Sequence, residues 1–346
     1  MNNRENIIKA IRFERPDHIP MHFYINSACW DFYPHDALFE LIETHPFLFP
    51  DYKRPPAGFV PEYLPIARKG SPYTDDWGCV WEANVNGITG AVISHPLASW
   101  DSFESYIPPD PAVLTSIGPI DWAQAEADVK KEKEQGRYVK RGLRHGHTFL
   151  RITYIRGYEN AIIDMADDEP KLWKLIEMVE EFNRYVVERY SRMDVDAISY
   201  PEDLGMQVGP MLHPEHFRKY FKPSYKRLMK IASDKGIAIH MHSDGDIRTL
   251  ADDLTESGVQ ILNIQDLVNG IDWIAEKYKG KVCIELDIDR QKITPFGTPA
   301  QVDALIKEEV EKLSAREGGL IMMYGLYPGV PLENAKALMD AMERYA

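Results

Sequence analysis

The chain has 346 residues, with 40 Lys and Arg against 54 Asp and Glu, for a formal net charge of −14. At 44% apolar and 27% charged residues it can bury a substantial core in one large or two smaller domains, which excludes a disordered polar chain. The acidity excludes a nucleic-acid partner, which needs a basic stripe, and no apolar run approaches the roughly 18 residues of a membrane span.

The N-terminal MNNRENIIKAIRFERPDH is polar and lacks the apolar stretch of a secretory signal. It reads as a helix over Arg4–Phe13 followed by a first strand at His18–Tyr24. Residues up to 135 are irregular, rich in aromatics and in prolines such as Pro46, Pro50, Pro55 and Pro56. The segment Cys29–Trp81 suits either a pocket wall or lid, or a cap on the bottom of the fold. Cys29, Cys79 and Cys283 are too far apart for a disulfide framework or a CxxC site, so a reducing cytoplasm is the expected setting.

From residue 136 the texture changes. After a strand-like Tyr138–Leu143, short β-rich apolar runs stand at Val195–Tyr200, Ile237–His242, Val259–Ile264, Val282–Leu286 and Leu320–Tyr324. Helical patterns separate them at His213–Lys235, Ile247–Ser257, Ile271–Tyr278 and Pro299–Ala315, and Asn334–Tyr345 closes the chain. Gly236, Gly258, Gly280 and the pair Gly318–Gly319 fall between helix and strand, where left-handed caps belong. Doubly buried strands joined by helices pair in parallel through right-handed crossovers. No glycine-rich turn opens a helix after any strand, which disfavours a doubly wound sheet. The predicted fold is α/β, a (β/α)8 barrel with long N-terminal loop insertions, in a single domain over 1–346.

In such a barrel the C-terminal ends of the strands build the site. Here they carry Glu202 and Asp203; His240, His242 and Asp244; Gln265 and Asp266; Glu285, Asp287 and Asp289; and Tyr324. Alternation along a strand points His240, His242 and Asp244 the same way, giving two imidazoles and a carboxylate as a metal half-site. The plainer alternative makes His240 a core histidine one layer down and Asp244 a helix cap. Glu202 and Asp203 suit a cation, a general base or a substrate hydrogen bond, and Glu285 suits a ligand or a carboxylate supporting a histidine. Arg144-His145-Gly146-His147 is a further candidate, since the glycine lets backbone approach a ligand closely.

These residues sit within a wider pattern. A helix followed by ERPDHIPM, DDWGCVWE at Asp75–Glu82, IRGYENAIID at Ile155–Asp164 and PEDLGMQVGPMLHPEHFRKYFKP at Pro201–Pro223 occur in that order. HSDG at His242–Gly245, GVQILNIQ at Gly258–Gln265, FGTPAQV at Phe296–Val302 and VPLENAKALMDA at Val330–Ala341 follow. The chain thereby resembles, over its whole length, the uroporphyrinogen decarboxylase superfamily and its cobamide-dependent methyltransferase branch. The resemblance implies the same barrel. True decarboxylases of the family carry an arginine-rich segment after the first strand, whereas this chain has HFYINSACWDFY at His22–Tyr33. Without that clamp, a substrate with many carboxylates meets repulsion from an acidic chain.

The methyltransferase branch holds zinc with a His-x-Cys-Gly strand end and a late cysteine. Here His242 falls on the histidine, Asp244 on the first cysteine and Tyr324 on the second. Exchanging thiolates for harder donors leaves a more Lewis-acidic ion, suited to an ether oxygen leaving group. The resemblance then implies an O-demethylating methyltransferase that passes a methyl group to the cobalt of a separate corrinoid protein. The expected zinc ligands are His242, Glu202 and Asp244, with Glu285 in reserve. Tyr324 or His147 protonates the leaving oxygen beside His242. Asp203, Gln265, His145, His240, Trp30 and Tyr24 contact the substrate. Decarboxylation of uroporphyrinogen III and non-catalytic binding of a tetrapyrrole or corrinoid are the alternatives, and a homo-oligomer is left open.

Overall fold

The computed structural model describes residues 3–56 and 58–346. The strands are β1 (Met21–Ile25), β2 (Tyr73–Thr74), β3 (Val80–Glu82), β4 (Ala91–Ser94) and β5 (Lys140–Gly142), then β6 (Ala197–Pro201), β7 (Ala238–Ser243), β8 (Ile261–Gln265), β9 (Cys283–Asp287) and β10 (Leu320–Leu326). The chain forms two compact units: unit 1 takes residues 3–5, 72–82 and 91–264, and unit 2 takes 6–71, 83–90 and 265–346.

In unit 1, β5, β6, β7 and β8 pair in parallel in sequence order, with Lys140 beside Ala197, Ser199 beside His240, and His242 beside Asn263. Ile198, Ile239, Ile261 and Leu262 are buried, as the doubly covered strands of a parallel sheet require. Helices return the chain between strands. Pro170–Tyr190 starts on a proline, is capped by the Glu169 side chain on the Lys171 amide, and buries Leu172, Leu175, Ile176, Val179 and Phe182 at helical spacing. Trp122–Glu134 starts on Asp121, whose carboxylate accepts from the amides of Ala123 and Gln124.

The DDWG turn of unit 1 is organised by one carboxylate. Asp75 Oδ1 accepts the amides of Trp77 and Cys79 at 3.0 and 2.9 Å, and Oδ2 accepts Trp81 Nε1 and Arg151 Nη1, both at 2.9 Å. A second buried pair, Arg156 with Asp164 at 2.7 Å, fixes the IRGYENAIID segment. Both motifs therefore carry an interior ion pair, and the Asp75 carboxylate accepts four hydrogen bonds.

In unit 2, β1 pairs with β10 and β10 with β9, again in parallel. Thr298 and Gln301 form a reciprocal cap at the start of Pro299–Leu313, and that helix packs on Leu332–Tyr345.

The expected strands from residue 136 onward are found with ends shifted by a few residues, and Ile271–Tyr278 spans its predicted range. Parallel strands described number four in unit 1 and three in unit 2, seven rather than the expected eight. Between β1 and β5 the chain forms an antiparallel sheet, β2-β3-β4, instead. The helix predicted from Ile247 begins at Ala251, because Asp246 ties residues 246–248 into a turn through the Arg248 amide and guanidinium. Asp244 is consequently not a helix cap. Among the described residues no helix is long and apolar enough to cross a membrane.

Candidate functional site

The segments following β5, β6 and β7 are pinned to one another in unit 1. Gly146 N–H donates to the Pro201 carbonyl and Glu202 N–H to the His242 carbonyl, each at 3.0 Å. The loops after β6 and β7 touch at two glycines: Gly245 has φ +81°, and a Cβ built there would overlap the Gly205 backbone. Only glycine permits that approach and that conformation.

This framework brings His145, Asp203 and His242 together. Asp203 Oδ1 lies 3.2 Å from His145 Nε2 and 3.6 Å from His242 Nε2, and accepts the Asp244 amide at 3.1 Å. Asp244 Oδ1 stands 3.8 Å from His242 Nε2. One donor atom from each of His145, Asp203 and His242 lies within 4.8 Å of the others. Burial works to raise the pKa of Asp203, but hydrogen bonds and charge from His145 and His242 outweigh it and hold the carboxyl well below its usual range. Two imidazoles and an ionised carboxylate, partly open to solvent, form a donor set that suits Zn2+ or a similar divalent ion with a coordination position left over.

His242 is oriented from its far side. Its Nδ1 hydrogen-bonds Asn263 Oδ1, the residue opposite it on β8. A carboxamide oxygen only accepts, so Nδ1 carries a hydrogen, and Nε2, on the side of Asp203 and Asp244, is the nitrogen left to coordinate an ion. The sequence reading did not single out Asn263. Its signal was an asparagine inside the apolar run ILNI, which gained a role only once register placed it beside His242.

The remaining candidates are placed differently. Glu202 is completely buried; its Oε1 accepts the amides of Thr148 and Leu150 at 3.0 and 2.7 Å, closing the start of helix Phe149–Arg156. Burial pushes its pKa up to about 8. It is a structural cap and not a member of the ligand group, so Asp203 takes the place expected for it. His145, expected on the substrate, joins that group. His147 is also buried, with Nε2 3.7 Å from Glu202 Oε2, and burial pulls its pKa down to about 3. A ring that is neutral at pH 7 is poorly suited to be the expected acid. His240 is buried, with Nδ1 2.9 Å from Ser199 Oγ and Nε2 3.2 Å from Lys140 Nζ. It is the core histidine of the alternative reading.

In unit 2, Tyr324 is fully buried and its hydroxyl donates to Thr294 Oγ1 at 3.0 Å. Burial raises its pKa, which makes it a fixed hydrogen-bond donor and not a proton source near neutrality. Trp30 packs edge-on against His35 and Phe59 and tilted against Phe39, holding the loop down. Tyr24 accepts from Arg290 Nη1 at 3.4 Å, while Arg290 Nη2 bonds Asp287 at 2.8 Å. Gln265 is buried, with its main-chain carbonyl accepting from Asn269 Nδ2, and Glu285 is buried on β9.

Among curated proteins none matches the sequence. A methyltransferase from Methanosarcina mazei superposes over 100% of this chain and 99% of its own, with a TM-score of 0.68 and 15% identity. That likeness shows the fold, an α/β barrel of the uroporphyrinogen decarboxylase type. A D-psicose 3-epimerase (TM-score 0.38, 8% identity, 66% of this chain and 81% of that one) and a xylanase A mutant of P. fluorescens subsp. cellulosa (0.37, 11%, 65% and 84%) resemble it too weakly to carry an argument. The uroporphyrinogen decarboxylase (URO-D) family matches residues 87–345, three quarters of the chain. The protein belongs to the uroporphyrinogen decarboxylase family.

Proposed function

We propose that this protein is a metal-assisted methyltransferase of the cytoplasm. It takes a methyl group from the ether oxygen of a small methoxylated molecule and passes it to the cobalt of a corrinoid carried by a partner protein. The observation that supports this reading is the convergence of His145, Asp203 and His242, in a family member whose full-length structural neighbour is named a methyltransferase.

His145, Asp203 and His242 would hold the ion, with Asp244 in reach of the same imidazole. When bound, Zn2+ supplies Lewis acidity worth several kcal/mol toward a departing oxygen. The chain's own contribution is arrangement. Asn263 fixes the tautomer of His242, the Asp244 amide aims Asp203, and the Gly205–Gly245 contact holds the two loops in register. The ether's carbon–oxygen bond would break with its pair remaining on oxygen, which would take a proton from water, and the methyl would be received by the electron pair of a cobalt(I) corrinoid on the partner protein. Thiolate ligands would neutralise more of the ion's charge; imidazole and carboxylate donors leave more of it for an oxygen.

The test combines elemental analysis with turnover. Purified protein should carry zinc in proportion to chain, His242→Ala should lose it, and a methoxylated aromatic with reduced corrinoid protein should give the methyl-cobalt absorbance. Metal-free protein with full activity overturns the reading, as does CO2 release from uroporphyrinogen III in place of methyl transfer.

A further inference from the structure

Position 243 lies between two members of the site and faces away from it. His242 and Asp244 flank it, and alternation along β7 sends the Ser243 side chain to the face opposite His242, where it is completely buried. A hydroxyl taken out of water needs partners, and Ser243 has two. Its Oγ accepts the Leu204 amide at 2.9 Å and donates to the Asp244 carbonyl at 3.0 Å.

Leu204 is fully buried as well, and among the described residues the Ser243 hydroxyl is the one acceptor of its amide. That amide belongs to the peptide plane joining Asp203 to Leu204, so holding it fixes the backbone on the far side of Asp203. Nothing in the sheet does so. The last main-chain bond from the end of β6 to β7 before Asp203 runs from the Glu202 amide to the His242 carbonyl. The next resumes at Gly205, whose amide donates to the Asp244 carbonyl at 3.2 Å. Asp203 and Leu204 fall in the gap, and Ser243 closes it with a side chain. The Asp244 amide, at 3.1 Å from Asp203 Oδ1, holds only the tip of the carboxylate. With alanine at 243 the Leu204 N–H would be stranded where no water reaches it.

We infer that Ser243 is a positioning residue for Asp203: by holding the Leu204 amide it sets the backbone from which the Asp203 carboxylate reaches His145 and His242, at 3.2 and 3.6 Å. Ser243 thereby serves the ion site of the proposed function, on which this inference rests. It touches no ligand atom of that site and acts through Asp203 alone. A serine that merely stabilised the two loops would change folding and leave the surroundings of the ion as they are. One that aims Asp203 changes affinity for the ion, and only while Asp203 is there to be aimed.

The experiment titrates the intact, metal-stripped chain with Zn2+ and Co2+, without corrinoid or methyl donor. Ser243→Ala should bind zinc about tenfold more weakly than the parent, and Ser243→Thr, which keeps the hydroxyl, should recover most of the loss. In an Asp203→Asn background the same alanine change should have no further effect. The Co2+ absorption spectrum of Ser243→Ala should shift toward that of Asp203→Asn, a signature that loop stability does not move. Should Ser243→Ala fail to fold, the parent gives the answer alone: by reciprocity, zinc must slow hydrogen exchange at the Leu204 amide more than in β6. Zinc affinity of folded Ser243→Ala within about twofold of the parent, equal losses with and without Asp203, or Leu204 exchange that zinc leaves unchanged overturns the inference and spares the metal reading. A parent that binds neither ion overturns both.

Discussion

Replacing Asn263 tests the site most directly, because this residue touches no proposed ligand atom and still decides which nitrogen of His242 is available. Asn263 is 2% exposed, so no water takes over when its carbonyl is removed. In Asn263→Leu the imidazole Nδ1–H loses its acceptor inside the protein, which costs about 1–3 kcal/mol, and the ring is free to turn or change tautomer. Loss of such an outer support lowers metal affinity by roughly 10–100-fold, or about 1.4–2.8 kcal/mol. Asn263→Asp keeps an acceptor at the same place and adds charge that raises the basicity of the ring, so its affinity should match or exceed the parent's. The assay is competition for zinc against a metallochromic indicator, with urea unfolding run in parallel to separate folding from binding. The reasoning is refuted if folded Asn263→Leu binds zinc within about twofold of the parent, or if Asn263→Asp loses as much as Asn263→Leu.

Glu202→Gln should leave zinc affinity unchanged and Asp203→Asn should abolish most of it, a contrast read in the same competition assay, because only Asp203 faces both imidazoles. Gly245→Ala should reduce both stability and zinc binding, since its Cβ would drive the two loops apart and its φ of +81° disfavours alanine; a Gly245→Ala crystal structure with undisturbed loops would contradict this. Asp75→Ala should cost about 3–5 kcal/mol in urea unfolding, the usual result of stranding a buried arginine. Glu309 is buried against Asp266, and burial followed by the Asp266 charge raises its pKa well above the ordinary value. A raised carboxyl pKa adds stability below the unfolded value of about 4.3 and loses it as pH climbs toward the folded one. Glu309→Gln should therefore gain in urea midpoint relative to the parent, increasingly so above that pH.

The regular two thirds of the chain was legible because period and punctuation agree there. Runs such as AISY and ILNI are short and apolar, and Gly236, Gly258 and Gly280 all adopt the positive φ that a helix-ending glycine suggests. The first third was not, because its order comes from contacts far apart in sequence. Nothing local to Asp75 shows that its carboxylate will receive Arg151 from 76 positions away, or that Trp30 will be used to hold down Phe59. Those are tertiary pairings with no periodicity, and a period search passes over them.

At the site, alternation was right within β7 and failed where the strand stopped. His240 and His242 do share a face, but successive same-side positions lie about 6.6 Å apart along a strand. That step separates a histidine packed against Ser199 and Lys140 from one at the mouth. Beyond Pro201 the chain is no longer a strand, and which of Glu202 and Asp203 faces His242 ceases to follow from parity. It is decided by a need elsewhere: helix Phe149–Arg156 begins without a cap from Thr148, and Glu202 is the carboxylate that satisfies its amides. Once Glu202 turns inward, its neighbour turns outward, so the helix start one strand away selects Asp203 for His145 and His242. In a barrel, parity thus sets the direction of the last strand residues, whereas the first loop residues take theirs from the unmet amides beside them.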